Sequence, residues 1–396
     1  MEILKGTTYF DKFKLGKQYP YLNKDVKCDI LIIGGGIDGA IVNYYLSKKF
    51  KTILIDKARF GLGDTVAATA LLEYQLDDFA EDLNKELSKS EVEKIYKLGL
   101  ESINKISNIS KQIGNDFDFK RKPSFVYSNL SKDIESFKKE YNFRKSCGLK
   151  CELFTKETNP FPFDIEVGIY CEDGGAELNP YLFTHSLLKN SSGKKYENTE
   201  AFAVEKNGDG LVCITNYGYK IFCKKVVYTT GFNESLISKK SLSEKYVSYS
   251  IVTNPINELT WESDALIQDF MEPYHYLRKL PDGRLIFGGE DTVYKGKIDD
   301  NLAGKKYEVL LENLEKLFPA FKDKIKAEYC FCGLFASTSN NLGIISKISL
   351  ENAFIFSSCG ANGIINAFFG VELLLDLFEN KNNWLEKIFS IERKIY

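Results

Sequence analysis

The stretch "CDILIIGGGIDGAIVNYYLSKKFKTILIDK", Cys28 to Lys57, decides how the rest of the chain is read. "DILIIGG" is an unbroken apolar run closed by glycines, the mark of a strand buried on both faces. "AIVNYYLSKK" then has helical periodicity, and "KTILIDK" is a second buried strand. Together they form a βαβ unit of about 30 residues, the setting in which Gly34-x-Gly36-x-x-Gly39 acquires a mechanical meaning. Gly34 permits the tight turn, Gly36 lets the backbone approach a pyrophosphate, and Gly39 lets the helix lie close on the strand. The N–H groups of the first helical turn then face the anion. Asp56 ends the second strand, where a carboxylate can accept both ribose hydroxyls of an adenosine. The unit predicts dinucleotide binding by Gly34, Gly35, Gly36, Ile37, Asp38, Gly39, Asp56 and Lys57.

Asp38 is the odd member, a carboxylate beside the expected anion. In the first turn of a helix the dipole favours it, by about 0.3–1 kcal/mol when exposed. The phosphates are expected to meet backbone N–H groups. Asp38 is therefore expected to point aside and bond a neighbouring loop or a water.

Outside this unit the chain of 396 residues is long enough for two domains. Its net charge of −2 argues against nucleic acid held by bulk electrostatics. Lysine supplies nearly all the positive charge, arginine occurring only at 59, 121, 144, 278, 284 and 393. The nine cysteines have no zinc-site spacing and only two histidines, His185 and His275, accompany them, so no metal is expected. Reduced, buried thiols in a cytoplasmic protein are the expectation. The N-terminal residues lack the apolar core of a signal peptide, and no apolar run approaches the ~20 residues of a membrane span.

Residues 1–27 read as a lead-in packing across the first domain. Further along, helical patterns cover Ala80 to Lys111, "SKDIESFKKEYNFRKSCG", "YLFTHSLLKN" opened by Pro180, "KYEVLLENLEKLFPAF" and "INAFFGVELLLDLFEN". Alternation predicts strands in "RKPSFVYSN", in residues 197–231, in "AEYCFCGLF" and in "NAFIFSSCG". A hairpin in "YHYLRKLPDGRLIFGGED" turns through Pro281-Asp282-Gly283.

Several of these blocks resemble the FAD-dependent oxidoreductases of the D-amino-acid oxidase and glycine oxidase superfamily, in that family's order, from residue 28 to 380. The opening βαβ unit is similar to the family's own. "GLGDTVAATALLEYQLD" resembles its second flavin loop, "EDGGAELNPYLFTHSLL" the segment leading to the next helix, and "KKVVYTTGF" the strand ending in Ala-Thr-Gly. "GLFASTSNNLGII" and "SSCGANGIINAFFGVELLLDL" resemble the C-terminal flavin clamp. The resemblance implies non-covalent FAD held also by Gly63, Asp64, Thr65, Ala67, Ala68, Thr69, Ala70, Leu71, Ala201, Thr230, Gly231, Gly333, Leu334, Gly360, Ala361, Asn362, Gly363 and Ile364. It implies an α/β fold of two domains. A Rossmann-like FAD domain would use 1–85, 166–235 and 330–396, and a substrate domain on a mixed or antiparallel sheet would use 86–165 and 236–329. The last helix would aim its positive end at the flavin pyrimidine, and hydride would pass from a substrate carbon to the flavin.

Three positions depart from the family pattern. Phe335 stands where glycine oxidases carry an arginine, Ile365 where sarcosine oxidases carry a lysine, and Ile286 where those enzymes carry the lysine that promotes reaction with oxygen. A simple α-amino acid substrate and O2 as acceptor are both disfavoured, and the acceptor stays unidentified. On the hairpin, alternation places Tyr276 and Arg278 on one face and His275 and Leu277 on the other. Arg278, Glu290 and Tyr276 are the expected catalytic set, Arg278 anchoring the substrate and carboxylates holding an ammonium; the competing reading pairs Arg278 with Glu290 as a structural brace. Glu73 and Tyr74 add a carboxylate and a phenol, while His185 reads as a helix-packing residue. The expected substrate is a small amine or amino-acid-like molecule. "GGGIDGA" is also close to the loop of glycerol-3-phosphate dehydrogenases, leaving a hydroxylated substrate open, and a flavin-binding module without turnover is a third reading.

Overall fold

The computed structural model describes residues 2–13, 18–75, 78–234, 236–238, 241–338, 340–358, 360 and 362–393. The quoted βαβ unit forms as read. Strands Ile30–Ile33 and Thr52–Ile55 are buried at every position, and helix Ile37–Leu46 connects them. They lie centrally in a six-stranded sheet with Ile344–Lys347, Ala353–Ser357, Lys225–Tyr228 and Lys194–Tyr196. All neighbours run parallel except Ile344–Lys347, which pairs antiparallel with Ala353–Ser357.

Alternate side chains of these strands feed two different cores, which explains the unbroken apolar runs. Ile30, Ile32 and Leu54 face helices Ile37–Leu46, Pro180–Lys189 and Gly363–Phe378. Leu31, Ile33, Ile53 and Ile55 face a four-stranded sheet of Ala201–Asn207, Gly210–Thr215, Lys220–Cys223 and Val26–Lys27. His185 packs in its helix as expected, its Nε2 3.2 Å from the Phe60 carbonyl oxygen and its ring against Tyr181.

A second, ten-stranded mixed sheet roofs the first. Its order is Leu4–Gly6, Ala327–Ser337, Glu244–Thr253, Leu285–Val293, His275–Lys279, Leu266–Asp269, Lys120–Ser128, Val167–Glu177 and Leu71–Glu73, with Cys151–Thr155 also paired to Val167–Glu177. Helix Asp300–Leu317 packs on its outer face over Tyr249, Ile251, Leu277 and Phe287. Six of these strands escape the sequence reading: Leu4–Gly6, Leu71–Glu73, Cys151–Thr155, Val167–Glu177, Glu244–Thr253 and Leu266–Asp269. In "EKYVSYSIVT" Val247, Tyr249 and Ile251 face the core while Ser248 and Ser250 line the cavity, so the second face of this strand is polar.

One expectation about the thiols is corrected. Cys151 and Cys171 are directly opposed on neighbouring antiparallel strands and form a disulfide. Twenty residues separate them in sequence, and only the strand register brings them together. Among the described residues no group of histidine, cysteine and acidic side chains could hold a metal ion, and no helix is long and apolar enough to cross a membrane.

Candidate active site

Between the two sheets lies a cavity of about 660 Å³. Every residue expected to contact the dinucleotide lines it, except Gly35, Gly39 and Ala361. Ala361 lies outside the described residues. The two glycines serve packing: a Cβ on Gly39 would sit 1.9 Å from the Gly34 carbonyl oxygen, and one on Gly35 would strike the Phe60 ring at the same distance. They shape the loop from behind while Gly34 and Gly36 face the cavity.

Asp56 braces this loop, its Oδ2 accepting from Gly35 N–H at 2.6 Å and its Oδ1 from Ala58 N–H at 2.8 Å. Carboxylate oxygens retain further lone pairs, so ribose hydroxyls can still be accepted. One helical N–H is already engaged, however: Ile37 N–H donates to Thr65 Oγ1 at 3.0 Å. Asp38 behaves as expected and turns aside to the loop before the last helix, accepting from Ser358 N–H at 3.0 Å and from the Ser358 hydroxyl. Burial pushes the Asp38 carboxyl up to about 6, against those two hydrogen bonds. Burial and the Asp38 charge push Asp64 up to about 7. Both acids therefore carry less negative charge near neutrality than an exposed pair, which eases a diphosphate beside them.

Helix Gly363–Phe378 starts at the cavity with Gly363 and Ile364 in its lining. Its N-cap, Asn362, makes no capping bond to the helix; Nδ2 donates to the Gln75 carbonyl at 2.7 Å and Oδ1 accepts from Glu73 N–H at 3.3 Å. The positive end of a 16-residue helix is thus left facing the cavity. The glycine loop, Asp56, the two softened acids and this helix end fit FAD.

The roof of the cavity comes from the ten-stranded sheet: Ser248, Ser250, Gln268, Tyr274, Tyr276 and Phe335. The Tyr276 hydroxyl lies 3.1 Å from Ser250 Oγ and 3.3 Å from Ser248 Oγ. Gly288 opposite gives the ring its room, since a Cβ there would come within 2.4 Å of the Tyr276 hydroxyl. Glu73 also lines the cavity, whereas Tyr74 is buried behind it against Tyr96 and Cys171. Lys57 and Arg59, beside Asp56, are the only lysine or arginine among the described lining residues.

Two of the three expected catalytic residues are elsewhere. Arg278 shares the face of Tyr276, as alternation requires, but is buried beside a separate cavity of about 300 Å³ with Tyr9 and Asp118. Its Nη1 donates to the carbonyls of Ala70 and Leu178, each at 3.2 Å, and lies 3.8 Å from Glu177. It ties the hairpin to the loop ending at Ala70 and does not reach the roof of the main cavity.

Glu290 is turned away by a β-bulge. The register runs Tyr249↔Gly289 and then Val247↔Thr292, so Glu290 and Asp291 both stand opposite Ser248. Glu290 takes φ +58, which reverses the alternation beyond it. Its carboxylate goes to the outer face, 2.6 Å from Lys306 Nζ and 3.2 Å from His275 Nε2. His275 completes that cluster through Asp269, 2.8 Å from its Nδ1. Burial works against the imidazolium there, but Asp269 and Glu290 outweigh it and raise the His275 pKa. Asp291 takes the inner position, its Oδ2 accepting from the Tyr274 hydroxyl at 2.8 Å. Arg278 and Glu290 therefore pair with different partners on opposite faces, which rules out the brace as well.

Ser248, Ser250, Gln268 and Tyr274 are missing from the sequence reading, which names Asp291 only beside Glu290 as a carboxylate at the end of the hairpin. Tyr274 was within reach, because it lies two residues before Tyr276. The choice of Asp291 over Glu290 was not, because nothing local marks the bulge.

Comparison with known proteins agrees with this architecture. The chain is 22% identical over 385 residues to the putative Rieske 2Fe-2S iron-sulfur protein YhfW of Bacillus subtilis, covering 95% of this chain and 73% of that one. Its fold is similar to the crystal structure of glycine oxidase from Geobacillus kaustophilus, with a TM-score of 0.77 at 18% identity over 93% of this chain and 100% of that one. L-proline dehydrogenase from P. horikoshii gives 0.76 at 20% identity over 94% and 98%. The model of the FAD dependent oxidoreductase family, DAO, matches residues 29–377, and the chain belongs to that family of flavoenzymes.

Proposed function

We propose that this FAD-dependent oxidoreductase oxidises the C–N bond of a small amine or amine-like molecule. The observation that carries the reading is the roof over the cavity. It offers hydroxyls and an amide, with the Glu73 carboxylate on the wall and no lysine or arginine among the described residues at that end. An ammonium is accommodated by carboxylate and hydroxyl oxygens. A phosphate or dicarboxylate would lack a counter-charge, at the high cost of burying an unpaired anion. That disfavours the glycerol-phosphate reading and, for the same reason, a simple α-amino acid.

The glycine loop would hold the diphosphate, Asp56 the ribose, and the segments Gly63–Leu71, Thr230–Gly231, Gly333–Leu334 and Gly360–Ile364 the flavin, without a covalent link. FAD, when bound, accepts two electrons as a hydride. The chain's own groups orient the substrate under Tyr276, Ser248 and Ser250, and the start of helix Gly363–Phe378 would favour negative charge on a bound flavin. Ile286 is buried in an apolar cluster with Val252, Leu280 and Phe331, outside the cavity lining, which supports an acceptor other than O2. A one-electron protein carrier fits the relative named as a Rieske protein. Anaerobic addition of a panel of primary and secondary amines is expected to bleach the flavin absorbance. Failure of the whole panel would refute the amine assignment.

A further inference from the structure

We infer that Tyr274 and Asp291 form the proton-accepting pair of the substrate site, removing the proton an ammonium must lose before its carbon can release hydride. The inference rests on the amine reading above. An amine carbon gives up hydride only when the nitrogen lone pair can form the new C=N bond, so a protonated amine must first be neutralised. Tyr274 lines the cavity, and its hydroxyl points to Asp291 Oδ2 at 2.8 Å. Asp291 Oδ1 is buried and makes no hydrogen bond among the described residues. The bulge at Glu290 is what presents this carboxylate inward, and φ +58 is a conformation that a glutamate rarely adopts. The outer clamp of Glu290 by Lys306 and His275 holds that conformation in place.

The proton balance is simple. The substrate N–H bond breaks as an O–H bond forms on Tyr274, while the tyrosine's own proton passes to Asp291. No electrons change hands in this step. With FAD bound, the neutral amine would then release hydride from its carbon, two electrons leaving with it, and water would open the cationic C=N product to a carbonyl compound and an amine. Burial raises Asp291 above the usual carboxylate range, against the nearby Ser248 hydroxyl, the hydrogen bond from Tyr274 and the positive charge of Lys306, while Glu290 adds to the rise. The Asp291 charge adds to the raised pKa values of Tyr246, Tyr249 and Tyr276. A carboxylate of raised basicity is suited to accept a proton near neutral pH.

The test is anaerobic rapid mixing of the FAD-loaded protein with the alkylamine that reduces it fastest, from pH 5 to 9. The wild-type rate is expected to rise with pH through an ionisation above the ordinary carboxylate range. Asp291→Asn, which still accepts from Tyr274, should react about 100-fold more slowly and lose that ionisation. Tyr274→Phe should be slowed as well. In the protein alone, carboxyl-labelled aspartate should show, beside the raised signals of Asp38 and Asp64, a further high-titrating NMR signal that is absent in Asp291→Asn and shifted in Tyr274→Phe. Persistence of the wild-type profile in Asp291→Asn, or its loss in Glu73→Gln instead, would overturn the pair while leaving the amine reading standing. No reduction by any amine would overturn both.

Discussion

Arg278→Met tests whether the arginine is a structural tie. The substitution removes one partner of a buried ion pair, leaving Glu177 with a side chain only 4% exposed. Breaking such a pair costs about 3–5 kcal/mol. Lys122 Nζ lies 3.5 Å from the other oxygen of the same carboxylate, so Glu177 is not wholly abandoned. The expected loss is accordingly at the lower end, about 3 kcal/mol. With a urea slope of about 3 kcal/mol per M, the unfolding midpoint of the apo-protein should fall by about 1 M. The Ala70 carbonyl also loses its donor, and one hydrogen bond's worth of ordering in that loop should weaken FAD binding about tenfold. The double variant Arg278→Met/Glu177→Gln removes the stranded charge and should recover about 2 kcal/mol. Urea unfolding and flavin fluorescence quenching give both quantities. A loss under about 1 kcal/mol with unchanged FAD affinity would refute the tie, and full stability with amine reduction abolished would return Arg278 to the chemistry.

Other expectations follow from the same geometry. Asp38 and Asp64 have folded pKa values above the usual 3.8, so their contribution to stability is present at low pH and is lost as pH rises through about 6 and 7. FAD, bringing a diphosphate, should bind several-fold more tightly at pH 6 than at pH 8, and Asp64→Asn should flatten that slope; a slope of opposite sign contradicts it. Asp38→Asn should change FAD affinity by less than about threefold, since Asp38 turns to Ser358 and stands clear of the diphosphate; an order-of-magnitude gain would show direct repulsion. Glu290→Gln should lower stability by about 1–2 kcal/mol through the loosened Lys306 contact, read from urea unfolding. Acid precipitation should leave a yellow supernatant, as non-covalent FAD requires, and a yellow pellet would disprove it.

The outcome at the hairpin shows what a local reading can and cannot reach. Tyr276 was placed on the correct face by period-two alternation alone. Its neighbours across the sheet, Ser248 and Ser250, belong to a strand some 25 residues away in the chain, and no local pattern pairs the two strands. Arg278 was read as a substrate anchor because a rare arginine in a lysine-rich chain attracts notice. Its actual partners are the carbonyls of Ala70 and Leu178, more than a hundred and about a hundred residues distant respectively.

What the residues alone determined is the flavin half of the molecule. There the chemistry is carried by backbone: glycines, helix ends and a strand-terminal aspartate work at short sequence range, and short-range patterns write them legibly. Tertiary structure decided the substrate half. A single extra residue in one strand exchanged Glu290 for Asp291, and strand register joined Cys151 to Cys171. Side chains that meet across a sheet are set by register, and register is a property of the assembled sheet.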